Sequence, residues 1–243
     1  MSKMVKDLEL LAFRHTDCDG LGSLMPAFTA QGVNCRYVDS YKDDLSNFDA
    51  LTPDIVVVLG GAPGVYQAET YDFIKHETDI IAARIDTGKP VMGICLGAQM
   101  MAKAIGSDVY VGKHGVEKGW GELRVIEDKS ADIVRRFDGA HGRVLHWHGD
   151  TFDLPSSAEL LASSTQYKNQ IFRAGKNAYG FQCHIEATHD ILLNWFVNSA
   201  GDVASGAIDL ENIRADTNRY VQTMIENSEI FVQKWVQQIR EDY

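Results

Sequence analysis

The chain has 243 residues, 45% of them apolar and 23% charged, which is enough to bury an α/β core without disulfide staples. Its formal net charge of -11 repels phosphate backbones and no Lys/Arg run offsets it, so no nucleic-acid partner is expected. No apolar run reaches the roughly 18 residues that span a bilayer, and "MSKMVKDLELLAF" has acidic residues where a signal peptide keeps its apolar stretch, so the expected setting is the cytoplasm, with no membrane partner.

In chain order, "LELLAFRH" (8–15) predicts a first strand and "GLGSLMPAFTAQG" (20–32) a short helix closed by a glycine. "NCRYVDSY" (34–41) predicts a second strand. "DIVVVLGG" (54–61) is a continuous apolar run bounded by turn residues, as a central parallel strand is. In "YDFIKHETDIIAARIDTG" (71–88) Phe73, Ile74, Ile80, Ile81 and Ile85 recur at helical spacing, and Gly88 is a suitable stop. "PVMGIC" then predicts another buried strand and "LGAQMMAKAIG" the helix after it. This alternation implies a doubly wound, mostly parallel α/β sheet, flavodoxin-like in arrangement.

From 109 to 183 the pattern changes to short strand-like pieces, which predict antiparallel strands added beside the parallel core. "HDILLNWFVNSA" (189–200) opens a helical end. Beyond it, Tyr220, Met224, Phe231, Trp235 and Ile239 keep helical spacing in a polar stretch. Residues 1–200 are therefore expected to form the main domain, with 201–243 a helical extension packed on it. The alternative for these helices is an oligomer or partner contact, including a homo-oligomer.

Cys18, Cys35, Cys95 and Cys183 match no CxxC or zinc spacing, and a reducing compartment disfavours disulfides. Cys95 stands apart. "GICLG" (93–97) fits G-x-nucleophile-x-G, a strand turning sharply into a helix. Gly93 and Gly97 supply the clearance such a turn needs. The following helix aims its first N–H groups and its positive dipole end at the sulfur, which favours thiolate. The Leu96 N–H points into the same space, where a developing oxyanion would sit.

A thiol nucleophile needs a base and a group to orient it. In "YGFQCHIEA" (179–187), His184 and Glu186 are two apart and share a face if the segment is a strand, while Cys183 alternates to the packed side. A rival pair lies in "HWH": His146 and His148 also share a strand face and could serve as base or metal ligands. No third ligand lies at a familiar zinc spacing, so no metal is expected there, and no motif calls for a cofactor.

With Cys95, His184 and Glu186 in view, the chain resembles the class I (triad-type) glutamine amidotransferases. "GICLGAQ" resembles their nucleophile motif, "GFQCHIEA" their histidine-glutamate motif and "VVVLGGAPGVY" their oxyanion loop. "VLHWHGDTFDLP" resembles a loop of the branch similar to the glutaminase part of GMP synthase. The resemblance runs from about residue 8 to about 190 and implies Cys95 as nucleophile, His184 as base and Glu186 as its orienter. It further implies an oxyanion hole from the N–H groups of Gly61 and Leu96. Gln99 would line the glutamine pocket, and Trp147, His148, Gly149 and Asp150 would hold the substrate's α-amino and carboxylate ends, largely through backbone. Three positions depart from the pattern: Ile185 stands where the family has proline, Cys183 where it has phenylalanine, and "GGAPG" carries its proline one place late.

The resemblance implies release of ammonia and glutamate from glutamine. The acceptor is open, since there is no P-loop or "SGGxDS"-type loop and no room for a synthetase. Either a separate synthetase subunit supplies the acceptor site, or the protein is a free-standing γ-glutamyl peptidase acting on γ-glutamyl peptides or amines. A third reading is a non-catalytic regulatory protein on the same fold.

Overall fold

The structure is a computed structural model that describes residues 7–128 and 131–242. Residues 1–6, which open the N-terminal stretch expected to carry no signal peptide, lie outside the described residues. Five strands form the parallel core: β1 (Leu8–Arg14), β2 (Val33–Asp39), β3 (Ile55–Val58), β4 (Val91–Ile94) and, much later in the chain, β12 (Ala178–Phe181). Between β4 and β12 come β5 (Val109–Val111), β6 (Glu117–Gly121), β7 (Arg124–Val125), β8 (Val144–His148), β9 (Asp150–Phe152), β10 (Ala158–Ser163) and β11 (Ile171–Ala174). The main sheet runs β2-β1-β3-β4-β12-β11-β10-β7, parallel as far as β12 and antiparallel beyond it. Two small antiparallel pairs, β5 with β9 and β6 with β8, stand apart from it. This is the mostly parallel sheet with antiparallel additions that the strand pattern predicts.

The core strands are covered on both faces, which is why β3 and β4 read as unbroken apolar runs. α1 (Leu24–Ala30) covers one face, and α2 (Asp72–Asp86) and α3 (Leu96–Ala104) the other. α1 is shorter than the predicted 20–32 stretch. Gly22 adopts a positive φ ahead of it, and a side chain there would overlap the Glu186 carbonyl, so the chain turns before it winds.

The C-terminal end is α4 (His189–Asn198), α5 (Ala200–Ala204) and the long α6 (Leu210–Glu241). Asp209 caps α6 by accepting from the Asn212 N–H at 3.0 Å. Phe231, Trp235 and Ile239 of α6 are fully buried in the same core as Leu24 and Phe28 of α1. Val221 and Met224 join a second cluster with Leu192 and Phe196 of α4. Each such side chain contributes on the order of 2 kcal/mol by leaving water, so α6 is held to the sheet by apolar burial along most of its length.

Candidate active site

The turn between β4 and α3 is built around Cys95. Among the described residues it is the one non-glycine with positive φ, at φ 50 and ψ -104. That conformation costs about 1–3 kcal/mol and persists only where its surroundings force it. They do so here: the Cys95 N–H donates to the Phe181 carbonyl at 2.7 Å, at the end of neighbouring β12, and the Gly97 N–H donates to the Leu59 carbonyl at 3.3 Å. The two glycines of "GICLG" are close-approach positions. A side chain on Gly93 would overlap the backbone of Gly97, and one on Gly97 would overlap the Val58 carbonyl. Cys95 is mostly buried, with its Sγ 3.9 Å from the Trp147 carbonyl.

His184 and Glu186 reach the same place by a route that differs from the expected one. β12 ends at Phe181, and residues 182–186 are bends rather than strand, with His184 in an isolated bridge to Leu145. The shared strand face is therefore not what joins the two side chains. The bend turns them together, and His184 Nδ1 donates to Glu186 Oε1 at 2.7 Å with both side chains buried. Among the described residues, His184 Nε2 has no hydrogen-bond partner. Burial opposes charge on the ring, but the Glu186 carboxylate and the Cys95 sulfur outweigh it and raise the His184 pKa to about 10. The edge of Trp195, from α4, stands against the His184 ring at 4.6 Å between centroids. Cys183 is wholly buried in the apolar core, and that burial holds its thiol well above its ordinary pKa.

Proline is absent at position 185, and other residues hold that backbone. The Ile185 carbonyl accepts from the Ser23 hydroxyl at 3.1 Å and lies 2.8 Å from the Ser228 hydroxyl of α6. The Ser23 N–H donates to the Glu186 carbonyl at 3.0 Å. Neither serine carries a local signal: they lie 162 and 43 residues from Ile185 in sequence.

Gly61 and Leu96 are neighbours across the turn. A side chain at Gly61 would come within 2.9 Å of both Leu96 Cδ2 and His15 Nδ1. The Leu96 N–H, first in its helix, has no acceptor within that helix. The late proline of "GGAPG" leaves the Gly60–Gly61 segment anchored by a group that the sequence reading missed. His15 Nδ1 donates to the Gly60 carbonyl at 2.7 Å, and Nε2 lies 3.0 Å from Glu77 Oε2, deep in the protein. Both neighbours are acceptors, a setting that favours protons on both ring nitrogens. Burial opposes that charge, but Glu77 prevails and the His15 pKa is raised.

A stability consequence follows for this pair. The folded chain keeps the His15 proton at pH values where an unfolded histidine, with a pKa of about 6.5, releases it. The stabilisation is thus complete below about pH 6.5 and is lost as pH rises through the raised folded value. In Glu77→Gln the amide N–H can donate to a neutral Nε2, so that proton is no longer held. Denaturant midpoints measured from pH 6 upward are expected to fall less steeply for Glu77→Gln than for the unaltered chain; parallel slopes would show that the pair is not charged.

The remaining predicted residues gather around Cys95. Gln99 is buried on α3 and donates to Gln182 at 3.2 Å. Gln99, Gly61 and residues 147–150 line one cleft that opens on Cys95. The His148 side chain points away from this cleft: its Nδ1 donates to the Asp150 carbonyl at 2.9 Å and its Nε2 faces Glu117. Lys118, also missed, lines the same cleft with its Nζ 5.2 Å from the centre of the Trp147 ring. A second cleft meets Cys95 from the His184 side, lined by Thr16, Asp19, Trp195, Asn198 and Ser199.

The chain is similar to known proteins in sequence and in fold. The family model described as glutamine amidotransferase class-I matches residues 19–193. A glutamine amidotransferase-like protein of Salmonella typhimurium is 31% identical over 78% of this chain and 80% of its own length. Gamma-glutamyl peptidase 4 of Arabidopsis thaliana is 32% identical over 57% of this chain and 55% of its own length. The glutamine-hydrolysing GMP synthase of Natranaerobius thermophilus is 28% identical over 66% of this chain, which spans only 31% of that synthase. The crystal structure of a glutamine amidotransferase from Thermotoga maritima superposes with a TM-score of 0.86 at 32% identity, covering 96% of this chain and 99% of the other.

Proposed function

The chain belongs to the class I glutamine amidotransferase family, and from that premise we propose that it cleaves the side-chain amide of glutamine through a thioester on Cys95. The observation that carries this reading is the strained turn at Cys95 beside a histidine whose other nitrogen is bonded to Glu186. Nothing in packing alone asks for that combination, because a buried structural histidine normally has both nitrogens engaged. With its raised pKa, His184 holds a proton at neutral pH, beside the sulfur that acts as nucleophile in this reading. The sulfur attacks the γ-carbonyl carbon and the oxygen takes up negative charge opposite the Gly61 and Leu96 N–H groups. The C–N bond breaks as His184 passes its proton to the departing ammonia. Water, deprotonated by His184, then cleaves the thioester and glutamate leaves. In this reading Gln99, Lys118 and the Trp147–Asp150 backbone hold the amino-acid end of the substrate.

The second cleft favours a second reading on the same chemistry. A leaving group larger than ammonia would have room beside Thr16, Asp19 and Trp195, which suits a γ-glutamyl peptide or amine. Relatives named both GMP synthase and gamma-glutamyl peptidase are consistent with either substrate. If ammonia is the product, a synthetase subunit would be its consumer. The assay that separates these readings measures glutamate release from L-glutamine and from a panel of γ-glutamyl peptides and amines. Turnover of glutamine supports the first reading, turnover confined to the panel supports the second, and turnover of neither by a well-folded sample counts against both.

The Ser228 hydroxyl gives the C-terminal helix a share in this site. It lies 2.8 Å from both the Ile185 and the Met224 carbonyls and has one proton to give. Ser228→Ala leaves Ile185 to Ser23 alone. A loss of about 1 kcal/mol of hydrogen bonding, spent on the orientation of His184 and Glu186, is expected to lower kcat by roughly 3- to 10-fold. KM should stay unchanged, because Ser228 does not line either cleft. A change in KM alone would overturn this role.

A further inference from the structure

Behind the Trp147–Asp150 loop, β6 and β8 run antiparallel with Glu117 opposite His148 and Gly119 opposite His146. Glycine at 119 leaves room, and glycine at 121 lets the His146 ring lie against the backbone, since a side chain there would come within 2.8 Å of its Cδ2. Glu117 Oε2 is 3.1 Å from His148 Nε2 and 3.5 Å from His146 Nδ1. One ligand atom from each of the three residues lies within 4.8 Å of the others, and both imidazoles are buried.

The donors and acceptors here do not balance. His148 Nδ1 faces the Asp150 carbonyl and so carries its proton. Its Nε2 then turns a lone pair toward a carboxylate oxygen, with the neutral Gln170 amide nitrogen beside both. A second proton on His148 would serve that pair, but it would do nothing for His146. The His146 ring is 1% exposed, and among the described residues neither of its nitrogens has a hydrogen-bond partner. Leaving a buried ring so placed costs about 1–3 kcal/mol. One divalent cation accepts all three lone pairs.

The spacing fits such an ion. Four-coordinate zinc with bonds of about 2.0–2.2 Å to nitrogen and oxygen sets its ligand atoms about 3.3–3.5 Å apart, close to the separations from Glu117 Oε2. A fourth oxygen stands ready. Gln170 Nε2 lies 2.7 Å from Glu117 Oε2 and 3.3 Å from His148 Nε2, and its Oε1 has no partner. A half-turn of that amide exchanges the two atoms and directs Oε1 at the same point. The bond from His148 Nδ1 to a backbone carbonyl is the outer support that metal-bound histidines have. Two imidazoles with a carboxylate suit Zn²⁺, Co²⁺ or Ni²⁺ rather than Ca²⁺ or Mg²⁺.

We propose that Glu117, His146 and His148, completed by Gln170, form a buried site for a divalent transition metal that ties the Trp147–Asp150 loop to β6. The site is closed by protein ligands, so its role is structural, and the proposal is independent of the reading of Cys95.

The full chain, stripped with a chelator and titrated with Co²⁺, tests it directly. The expected result is one equivalent bound, with the visible d–d bands of four-coordinate cobalt and no sulfur charge-transfer band. Zn²⁺ should displace the cobalt with a Kd of about 1 µM or tighter and raise the thermal midpoint. His146→Ala should abolish the bands while keeping the far-ultraviolet circular dichroism of the fold. Should that variant not fold, Gln170→Ala serves instead, with bands altered in position and intensity. Absence of stoichiometric cobalt binding by the unaltered chain would overturn the site, as would a sulfur band, or binding unaffected by both substitutions. A doubly protonated His148 seen by nitrogen NMR in the presence of Zn²⁺ would overturn it too, leaving a plain ion pair with Glu117.

Discussion

Cys95→Ala is expected to lower glutamate release from the true substrate by about 10⁴-fold or more while leaving the fold intact. The magnitude follows from removing the one atom on which the intermediate forms. In enzymes that work through a nucleophile and its base, deletion of the nucleophile removes nearly the whole contribution of the set, and what survives comes from binding and the oxyanion donors. The fold is spared for a local reason. The sulfur's contact with the Trp147 carbonyl is a long one, 3.9 Å, and alanine meets the positive φ at 95 with no more bulk than cysteine does. Denaturant midpoints for the two proteins should agree within about 1 kcal/mol. The His184 proton supplies an internal check. Its pKa is raised by Glu186 and also by the Cys95 sulfur, so the alanine variant should titrate His184 at lower pH than the unaltered chain does. Equal turnover by Cys95→Ala would remove the thioester reading. An unchanged His184 titration would remove the sulfur from the histidine's electrostatic surroundings.

What could be read from the residues before any coordinates depended on how local each feature is. The parallel core was legible because a strand buried on both faces writes itself as an apolar run, and the elbow because its glycines, cysteine and helix are contiguous. His184 and Glu186 meet as expected, but not through the geometry that alternation implies. Period-2 alternation assumes that β12 continues, whereas the chain leaves the sheet at Phe181 and bends. His15, Ser23, Glu77 and Ser228 were invisible, since they act through hydrogen bonds across the fold and leave no pattern around them. Glu117 was hidden in the same way. His146 and His148 display their shared face, but the carboxylate beside them comes from a strand about 30 residues earlier in the chain, and the register that pairs Glu117 with His148 is set by tertiary contact.

Gly97→Ala is expected to be among the most damaging small substitutions in the chain, more so than changes at larger core residues. Leu→Ala in a core opens a cavity into which neighbours partly relax. A methyl group on Gly97 has no such latitude. It would meet the Val58 carbonyl oxygen and carbon and come within 3.0 Å of the Val58 side chain, and β3 cannot retreat because it is bonded to β1 on one side and β4 on the other. The helix cannot retreat either: the Gly97 N–H is held by Leu59, and Gly93 lies against the Gly97 backbone from behind. Relief therefore requires lifting the first turn of α3 from the sheet and with it the backbone that forces the Cys95 conformation. A cost on the order of 4 kcal/mol or more is expected, a large part of the 5–15 kcal/mol available to a domain. Gly201→Ala provides the control, because nothing lies within 4 Å of the added group there and it sits in α5. That change should be neutral or stabilising by up to about 1 kcal/mol. Urea midpoints for the pair decide the matter. Similar midpoints would mean that β3 and α3 can part at little cost, and the strain at Cys95 would then need another source.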